Sequence, residues 1–390
     1  MQFYYKCSEC EREYEITPDI MVCPECSKSQ KKDEPLRGIL EVVCDGKLDD
    51  NFSNFDLLPV EEKYFPKIPV GNTPLWEVKN LRKKFGFENL FIKDDTCNPT
   101  SSLKDRASFL VSAFAQKNKI KEIVVASTGN AGSSMAGIGA SANLDITIFM
   151  PKSAPKAKMI QGLQYGANVI LVDGSYDKAF DLSLEYSNKN KFLSRNTAYN
   201  PLTIEGKKTV SLEIFRDLKK VPDFVFVPVG DGAIIGGVYK GFKDLKKNGL
   251  IEKMPTIIAV QSEGSNAICQ AMKSGKFEPI DAKTIADSIS VGIPRNGYYA
   301  IKQLKKYNGK CMTVSDEEIL IAQKELSSSE GLFTEPAGAT AFAGFKKMRN
   351  ELSKDAKIVL LATGNGLKDI DSAMDKIKFP ENAIKSIEEL

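Results

Sequence analysis

Lys104 is the residue of this chain whose position first suggests chemistry. It stands in a polar, turn-rich stretch, NPTSSLKDR (residues 98–106), immediately before residues with the apolar spacing of a helix. A lysine in a water-excluded cleft can have its ammonium pKa lowered, and the neutral amine is a nucleophile towards an aldehyde. A single lysine is more often a solvated surface charge, so the rest of the chain must decide between the two.

The chain contains no histidine, and this absence limits the available chemistry. It excludes Ser-His-Asp and Cys-His nucleophiles, histidine general bases and histidine metal ligands. Proton transfer near neutral pH must then depend on lysine, carboxylates, perturbed thiols, tyrosine or a cofactor.

Three turns that follow apolar strand patterns are rich in glycine, serine and threonine: ASTGNAGSS (126–134), VPVGDGAIIGG (227–237) and LLATGNGLKD (360–369). The first two can form anion-binding nests at helix amino termini. Each alone could be only a strand-to-helix turn that needs glycine. The second turn, with Glu263 after the next strand, also permits a nicotinamide dinucleotide site. Such a site would leave Lys104 and the other two turns unexplained.

Pyridoxal phosphate would explain Lys104 and the glycine-rich turns together. Its aldehyde would form a Schiff base with Lys104, and a glycine nest would hold its phosphate. Once a substrate amine has displaced it, the lysine would serve as a general base, which suits a chain without histidine.

Four of the eight cysteines form two Cys-x-x-Cys pairs: Cys7, Cys10, Cys23 and Cys26. Two such knuckles can complete a tetrahedral site of four thiolates for structural zinc, and EREYEI and MVCPEC resemble the hairpin arms of a zinc ribbon. The alternatives are disulfides or a redox pair. We expect the scattered Cys44, Cys97, Cys269 and Cys311 to be plain core or near-surface residues.

The body of the chain has the pattern of an α/β protein. Eight apolar runs are typical of buried parallel strands, and helical spacing separates them: NLFIKDD, EIVVAST, ITIFMP, NVILVDG, KFLSRN, FVFVPVG, TIIAVQS and KIVLLATG. Residues 45–71 form a polar, proline-containing linker. The 54 basic and 51 acidic residues nearly balance, so neither nucleic acid nor a membrane is an expected partner. The absence of a secretory pattern at the start favours a cytoplasmic location.

Seven motifs occur in an order that resembles the threonine synthases, which are pyridoxal phosphate enzymes of the tryptophan-synthase β fold (fold type II). They are GNTPL, KDDTCNPTSSLKDR, STGNAG, NPLTIEGKKT, PVGDG, EPAGA and ATGNGLKD, and they cover about residues 70–370. The resemblance implies two parallel-sheet domains with a cofactor cleft between them, and several relatives also carry a cysteine ribbon at the amino terminus.

The resemblance also implies roles for individual residues. Lys104 would be the Schiff-base lysine and proton shuttle, Asn130 would hydrogen-bond the phenolic oxygen of the cofactor, and Thr363 would face its pyridine nitrogen. The cofactor phosphate would be cradled by Gly230, Asp231, Gly232, Ala233 and Ile234. The substrate carboxylate would be held by Ser127, Thr128 and Gly129. For a phosphorylated substrate, we expect Asn196, Thr197 and a nearby lysine to recognise the phosphate.

The activity implied is the conversion of O-phosphohomoserine and water to threonine and phosphate. Two departures affect the substrate rather than the cofactor. Thr203 replaces a phosphate-clamping arginine, and Asn365 replaces a histidine. Lys207 or Lys208 could supply a replacement charge. The alternative is a related β-replacement or elimination enzyme, cysteate synthase-like or dehydratase-like, that acts on phosphoserine or on serine and threonine.

The expected domains are a zinc ribbon (1–46), a small domain (116–205), and a large domain built from residues 47–115 and 206–390. By analogy with the family, we expect a homodimer.

Overall fold

The elements of secondary structure are those of a computed structural model, which describes residues 1–46, 48–49, 51–154, 156–374, 377, 380 and 383–387. The strands are β1 (Gln2–Cys7), β2 (Glu13–Tyr14), β3 (Leu40–Asp45), β4 (Leu75–Glu77), β5 (Leu90–Asp94), β6 (Glu122–Ala126), β7 (Asp145–Pro151), β8 (Asn168–Val172), β9 (Leu193–Ser194), β10 (Phe224–Pro228), β11 (Thr256–Ser262), β12 (Lys310–Val314) and β13 (Ile358–Ala362). The helices are α1 (Lys79–Phe85), α2 (Lys104–Lys117), α3 (Asn130–Ser141), α4 (Lys156–Gln164), α5 (Tyr176–Asn190), α6 (Leu202–Lys207), α7 (Thr209–Leu218), α8 (Ala233–Lys247), α9 (Ala267–Ser274), α10 (Gly297–Lys306), α11 (Asp316–Glu330), α12 (Pro336–Met348) and α13 (Ile370–Met374).

The larger sheet has six strands in the order β12-β11-β10-β13-β5-β4. All neighbours are parallel except the edge strand β4, which runs antiparallel to β5. Its central strands β10 and β13 are apolar and almost wholly buried, because helices cover both faces of a parallel sheet. Strands that are distant in sequence thus end at one common edge.

The smaller sheet has four parallel strands in the order β8-β7-β6-β9. Its strand β6, EIVVA, is continuous apolar sequence in the register Val124↔Thr147 with β7 and Val124↔Ser194 with β9. Each of the eight predicted strand segments contains a strand, although KFLSRN contributes only the two residues of β9. The α/β class with parallel sheets is confirmed.

The amino-terminal segment is a three-stranded antiparallel sheet in the order β2-β1-β3. Two of its acidic side chains meet lysines of α8. Glu41 pairs with Lys243, and Asp45 lies 2.5 Å from Lys247. The predicted hairpin arms were only partly right: EREYEI contributes β2, whereas MVCPEC forms an isolated bridge at Val22, and β3 supplies the long partner strand.

The predicted linker, residues 45–71, packs against the body over much of its length. It contains short 3-10 helices at Asn54–Leu57 and Glu62–Tyr64. Leu57, Val60 and Phe65 are buried, and the Phe65 ring lies 4.7 Å from that of Phe109 on α2. Lys47 and Asp50 of this segment lie outside the described residues.

Cys269 and Cys311 correct the expectation of plain, unlinked cysteines. They form a disulfide between α9 and β12, across 42 residues of sequence. The pairing could not be read from their spacing, because it depends on where α9 packs against the sheet.

A buried ion network fixes the start of α2. The Arg106 guanidinium donates hydrogen bonds to both carboxylate oxygens of Asp95 (2.6 and 2.8 Å) and of Glu213 (2.6 and 2.8 Å). Lys93 lies 3.0 Å from Glu213 on the other side. The positive neighbours hold the pKa of Glu213 well below its usual range against the effect of burial. The network therefore locks the helix that begins at Lys104.

Among the described residues, no helix is both long enough and apolar enough to cross a membrane.

Candidate active site

A cavity of about 410 Å³ lies where β6 of the smaller sheet and β10 of the larger sheet end. Its wall is made by Lys104, by residues 126–131, 175–177 and 228–234, and by two parts of the segment between α9 and α10, 280–282 and 287–293; Thr197 and Lys207 complete it. The carboxyl ends of parallel strands are where α/β proteins bind ligands. The structure therefore brings Lys104 together with the first two glycine-rich turns.

Lys104 is the first residue of α2, and its half-buried side chain lines the cavity. Two contacts hold the backbone at Leu103 and Lys104. The N–H of Leu103 donates to the carbonyl of Thr363 (2.9 Å), and the guanidinium of Arg195 donates to the carbonyl of Lys104 (3.4 Å). Thr363 is buried and is not among the described residues that line the cavity. Its expected contact with the ring nitrogen stays a prediction.

The turn before α8 has the shape of a phosphate cradle. Gly232 adopts φ +84° at the amino-terminal cap of α8, a conformation that favours glycine. A Cβ on Gly230 would meet the backbone of Ile289 at 2.7–3.0 Å, so only glycine fits there. The first N–H groups of a helix have no acceptor within the helix. Residues 230–234 therefore present backbone donors and the positive end of α8 to the cavity.

The turn before α3 is held together by the hydroxyl of Ser127. Its Oγ accepts hydrogen bonds from the N–H groups of Gly129 (3.1 Å) and Gly132 (2.8 Å). Ser127 thus shapes the turn that Thr128 and Gly129 complete, and all three line the cavity.

Asn130 is oriented by a carboxylate that the sequence reasoning did not single out. Its Nδ2 donates to both oxygens of Glu335 (2.8 and 2.9 Å) and to Ser288 Oγ (3.1 Å). Ser288 Oγ in turn donates to Glu335 (3.0 Å). The motif EPAGA contains Glu335, but 205 residues separate it from Asn130, so no local signal predicted the contact.

Asp231 is a half-buried residue in the turn before α8, and its Oδ2 atom is buried. Its Oδ1 accepts from the backbone N–H of Arg295 (2.6 Å), while its Oδ2 has no hydrogen-bond partner within the described parts of the chain. Burial raises the pKa of Asp231 to about 7, against the opposing effect of that N–H. Near neutral pH this group can therefore change its charge inside the cavity.

These features fit pyridoxal phosphate. Asn130 Oδ1 and Asp231 Oδ2 are buried polar atoms that lack a partner in the described structure. The backbone donors at Gly230–Ile234 match a phosphate, and Lys104 is within the same cavity to meet the aldehyde. Glu263, which a dinucleotide site would need, instead pairs with Lys347 at 3.7 Å and is 54% exposed.

Asn196 is not brought to the cavity among the residues that the structure describes. Its Oδ1 accepts from the N–H of Ala126 (2.7 Å) and its Nδ2 donates to Ser183 Oγ (2.7 Å), so the amide braces β6 against α5. Thr197 does line the cavity, and its Oγ1 accepts from Arg195 (3.0 Å). The structure thus separates these two predicted substrate residues.

The two positions that depart from the family pattern have local contacts. Thr203 is fully buried, and its Oγ1 donates to the carbonyl of Asn200 (2.8 Å). Asn365 Oδ1 accepts from the N–H of Leu367 (2.9 Å) and caps a short 3-10 helix. Neither side chain is part of the cavity wall in the described structure.

The side chains of Lys207 and Lys208 point in different directions. The sequence did not show which of the two could replace the charge of the missing arginine. Lys208 is held by Glu205, by Asp244 (2.7 Å) and by the carbonyl of Leu57 (2.6 Å). Lys207 lines the cavity instead, and its Nζ donates to the carbonyl of Thr203 (3.0 Å).

The four amino-terminal cysteines form one cluster, with their sulfur atoms within 4.8 Å of one another. Cys7 Sγ lies 3.8 Å from Cys26 Sγ, and Cys10 Sγ lies 3.7 Å from Cys23 Sγ. A tetrahedral zinc with Zn–S bonds of about 2.3 Å requires sulfur atoms about 3.8 Å apart. The donor set therefore fits a structural zinc ion.

Comparison with known proteins agrees with this geometry. The family described as "Pyridoxal-phosphate dependent enzyme" matches residues 67–364. The threonine synthase of Methanocaldococcus jannaschii is 33% identical, over 98% of this chain and 98% of its own. That of Halalkalibacterium halodurans is 36% identical, over 83% of this chain and 90% of its own.

Solved structures show the same fold. Threonine deaminase isoform 2 from Solanum lycopersicum, in its processed form, aligns with a TM-score of 0.69 at 24% identity, over 83% of this chain and 90% of that one. Maize serine racemase aligns with a TM-score of 0.67 at 23% identity, over 78% and 92%. The chain belongs to the pyridoxal-phosphate dependent enzymes and, among them, to the threonine synthase family.

Proposed function

We propose that this pyridoxal phosphate-dependent lyase converts O-phosphohomoserine and water to threonine and phosphate. The observation that carries the proposal is one cavity whose wall combines Lys104, a glycine cradle for one phosphate, and Lys207. A substrate with its own phosphate needs a second anion site beside that of the cofactor, and Lys207 is suited to supply it.

The cofactor, when bound, supplies an electron-withdrawing ring that acidifies the α-carbon of the amino acid. In our proposal Lys104 would hold the cofactor covalently and, once released, would take protons from Cα and Cβ as phosphate leaves Cγ. A proton would then be delivered to Cγ, water would add its hydroxyl at Cβ, and a proton would be returned to Cα. The helix amino terminus at Thr128 and Gly129 would bind the substrate carboxylate, since backbone donors and the helix dipole favour an anion there.

Glu335 would set the orientation of Asn130. The carboxylate of Glu335 accepts hydrogen bonds from Asn130 Nδ2. The other edge of the amide, which carries Oδ1, would therefore point towards the cofactor. This role makes Glu335 a positioning residue.

The proposed zinc site would stabilise the amino-terminal sheet, since a three-stranded sheet of this size has little core of its own. The boundaries 1–46, 47–115, 116–205 and 206–390 also stay a proposal. The range of the four-stranded sheet, residues 122–194, supports the middle unit. The homodimer and the cytoplasmic location remain predictions.

The test is turnover of the cofactor-loaded protein with O-phosphohomoserine, and separately with phosphoserine, serine and threonine. Phosphate release and the amino-acid product are both measured. Threonine formed from O-phosphohomoserine is the expected result, and Lys104→Ala is the control that should show no turnover. Release of phosphate from phosphoserine alone, or elimination from serine or threonine alone, would replace the proposal with the β-replacement or dehydratase alternative.

A further inference from the structure

Lys207 is a fully buried lysine on α6 that belongs to the wall of the ligand cavity. Its one hydrogen bond within the described structure goes to the carbonyl of Thr203 at 3.0 Å. The side chain therefore runs back along its own helix by one turn. Its positive charge lies next to position 203, where the family pattern has an arginine.

Lys207 differs from the other fully or nearly fully buried lysines. Each of those contacts a carboxylate: Lys93 with Glu213 (3.0 Å), Lys208 with Asp244 (2.7 Å) and Lys240 with Asp244 (2.5 Å). Among the described residues, Lys207 makes no ion pair. A buried charge without a partner is strongly unfavourable, so Lys207 needs an anion beside it to carry its positive charge.

The groups around Lys207 make a positive charge on its side chain still less favourable. Burial lowers the pKa of Lys207 well below its usual value, and the positive charges of Arg195 and Lys104 lower it further. Asp231 acts in the opposite direction, but its Oδ2 is without a partner in the described structure and so does not form an ion pair with Lys207. A ligand with more than one negative charge would oppose these effects, because an anion beside Lys207 and Arg195 favours the protonated form of the lysine. A phosphate monoester carries about −1.5 to −2 at pH 7.

We propose that Lys207 binds the phosphate of the amino-acid substrate, and that it replaces the arginine that position 203 lacks. This inference rests on the proposed function. Arg195 supports the site, because it is fully buried and donates a hydrogen bond to the Oγ1 of Thr197 (3.0 Å), another residue of the cavity wall. The cofactor phosphate has its own donors at Gly230–Ile234, so the lysine is left for a second phosphate.

The experiment compares wild type, Lys207→Gln, Lys207→Arg and the surface control Lys305→Gln, all loaded with pyridoxal phosphate. The dissociation constant of inorganic phosphate is measured by calorimetry, the cofactor dissociation constant by absorbance titration, and kcat and KM with O-phosphohomoserine. With the cofactor in place, its cradle is filled, so added phosphate reports on the second site. Lys305 is an exposed residue of α10, and its substitution removes the same charge without touching the cavity.

Lys207→Gln should weaken inorganic phosphate binding and raise the KM by about 10- to 100-fold, as expected when a charge-assisted contact is lost. Its cofactor affinity should change less than about threefold. Lys207→Arg should restore most of the phosphate affinity, and Lys305→Gln should match wild type. An unchanged phosphate affinity in Lys207→Gln would overturn the proposal. A loss of affinity for the cofactor alone would also overturn the proposal, since Lys207 would then bind the cofactor phosphate.

The failure of the proposed function is distinguishable. If wild type uses phosphoserine in place of O-phosphohomoserine, the substrate assignment fails. A weakened inorganic phosphate affinity in Lys207→Gln would still support the anion site, now for a shorter substrate.

Discussion

Replacing Gly230 by alanine tests whether close packing shapes the cofactor cradle. A Cβ at this position would lie 2.7, 2.8 and 3.0 Å from the Cα, carbonyl oxygen and carbonyl carbon of Ile289. Ordinary contacts begin near 3.4 Å, so the backbone of Ile289 must retreat by about 0.7 Å at its nearest atom. Backbone yields less easily than the end of a side chain. The segment that moves also carries Ser288, which contacts both Asn130 and Glu335.

The expected cost is that of overpacking, about 1–3 kcal/mol. Because the strained turn is the one that receives the phosphate, most of this cost should appear as weaker cofactor binding, by about 5- to 150-fold. The assay is absorbance titration of the apoprotein with pyridoxal phosphate, together with thermal unfolding of the apoprotein.

Gly162→Ala is the matched control. Gly162 lies within α4, and a Cβ there would meet only the flexible Cδ1 of Ile148, at 3.1 Å. Alanine favours a helix over glycine, so this variant should keep its cofactor affinity and its stability or gain slightly. Cofactor affinity unchanged in Gly230→Ala, with the fold intact, would refute the inference that this contact shapes the cradle.

Three other outcomes are expected. A chelator should remove one zinc ion per chain and lower the Tm; metal analysis that finds no zinc in protein purified without chelator would exclude the metal site. Asp231→Asn should raise the Tm of the apoprotein more at pH 8 than at pH 5. Burial raises the pKa of Asp231 to about 7 from a usual value of 3.8, so the folded protein retains this proton and the group's contribution to stability falls as pH rises between the two values. An equal gain at both pH values would contradict this. Glu213→Gln should lower the free energy of unfolding by about 3–5 kcal/mol in urea titrations, because Arg106 loses a buried counter-charge; a loss below about 1 kcal/mol would show that the network is not stabilising.

Features that depend on short stretches of sequence, such as buried strands, cysteine pairs and glycine-rich turns, were predictable. Buried parallel strands such as β6 and β10 are continuous apolar runs, because both faces of such a sheet are covered. The paired cysteines predicted one cluster, since each Cys-x-x-Cys turn presents two sulfur atoms on the same side. The position of Lys104 at the start of α2, and the first two glycine-rich turns at strand ends, predicted which segments would meet, because parallel strands end at the same edge.

The partners of individual side chains depended on the tertiary structure. Lys207 and Lys208 are neighbours at the end of α6, and consecutive helical residues point about 100° apart. Only the packing of α6 against α2 and α8 decides that one faces the cavity and the other faces Asp244. Sequence spacing could not show this, because the helix surface that becomes a cavity wall is chosen by elements from elsewhere in the chain.

Asn196 and Glu335 are two further side chains whose partners could not be predicted from the sequence. Asn196 belongs to a motif expected at the substrate, yet its amide is taken up by Ala126 and Ser183. Glu335 belongs to a motif without an assigned role, yet its carboxylate holds Asn130 from 205 residues away. Types and spacing of residues predicted the fold class, the cofactor chemistry and the lysine that we expect to meet the cofactor. Which polar atoms remain available to a ligand was decided by folding, because most buried donors and acceptors are paired within the packed chain and only a few, such as Asn130 Oδ1, are left without a partner in the described structure.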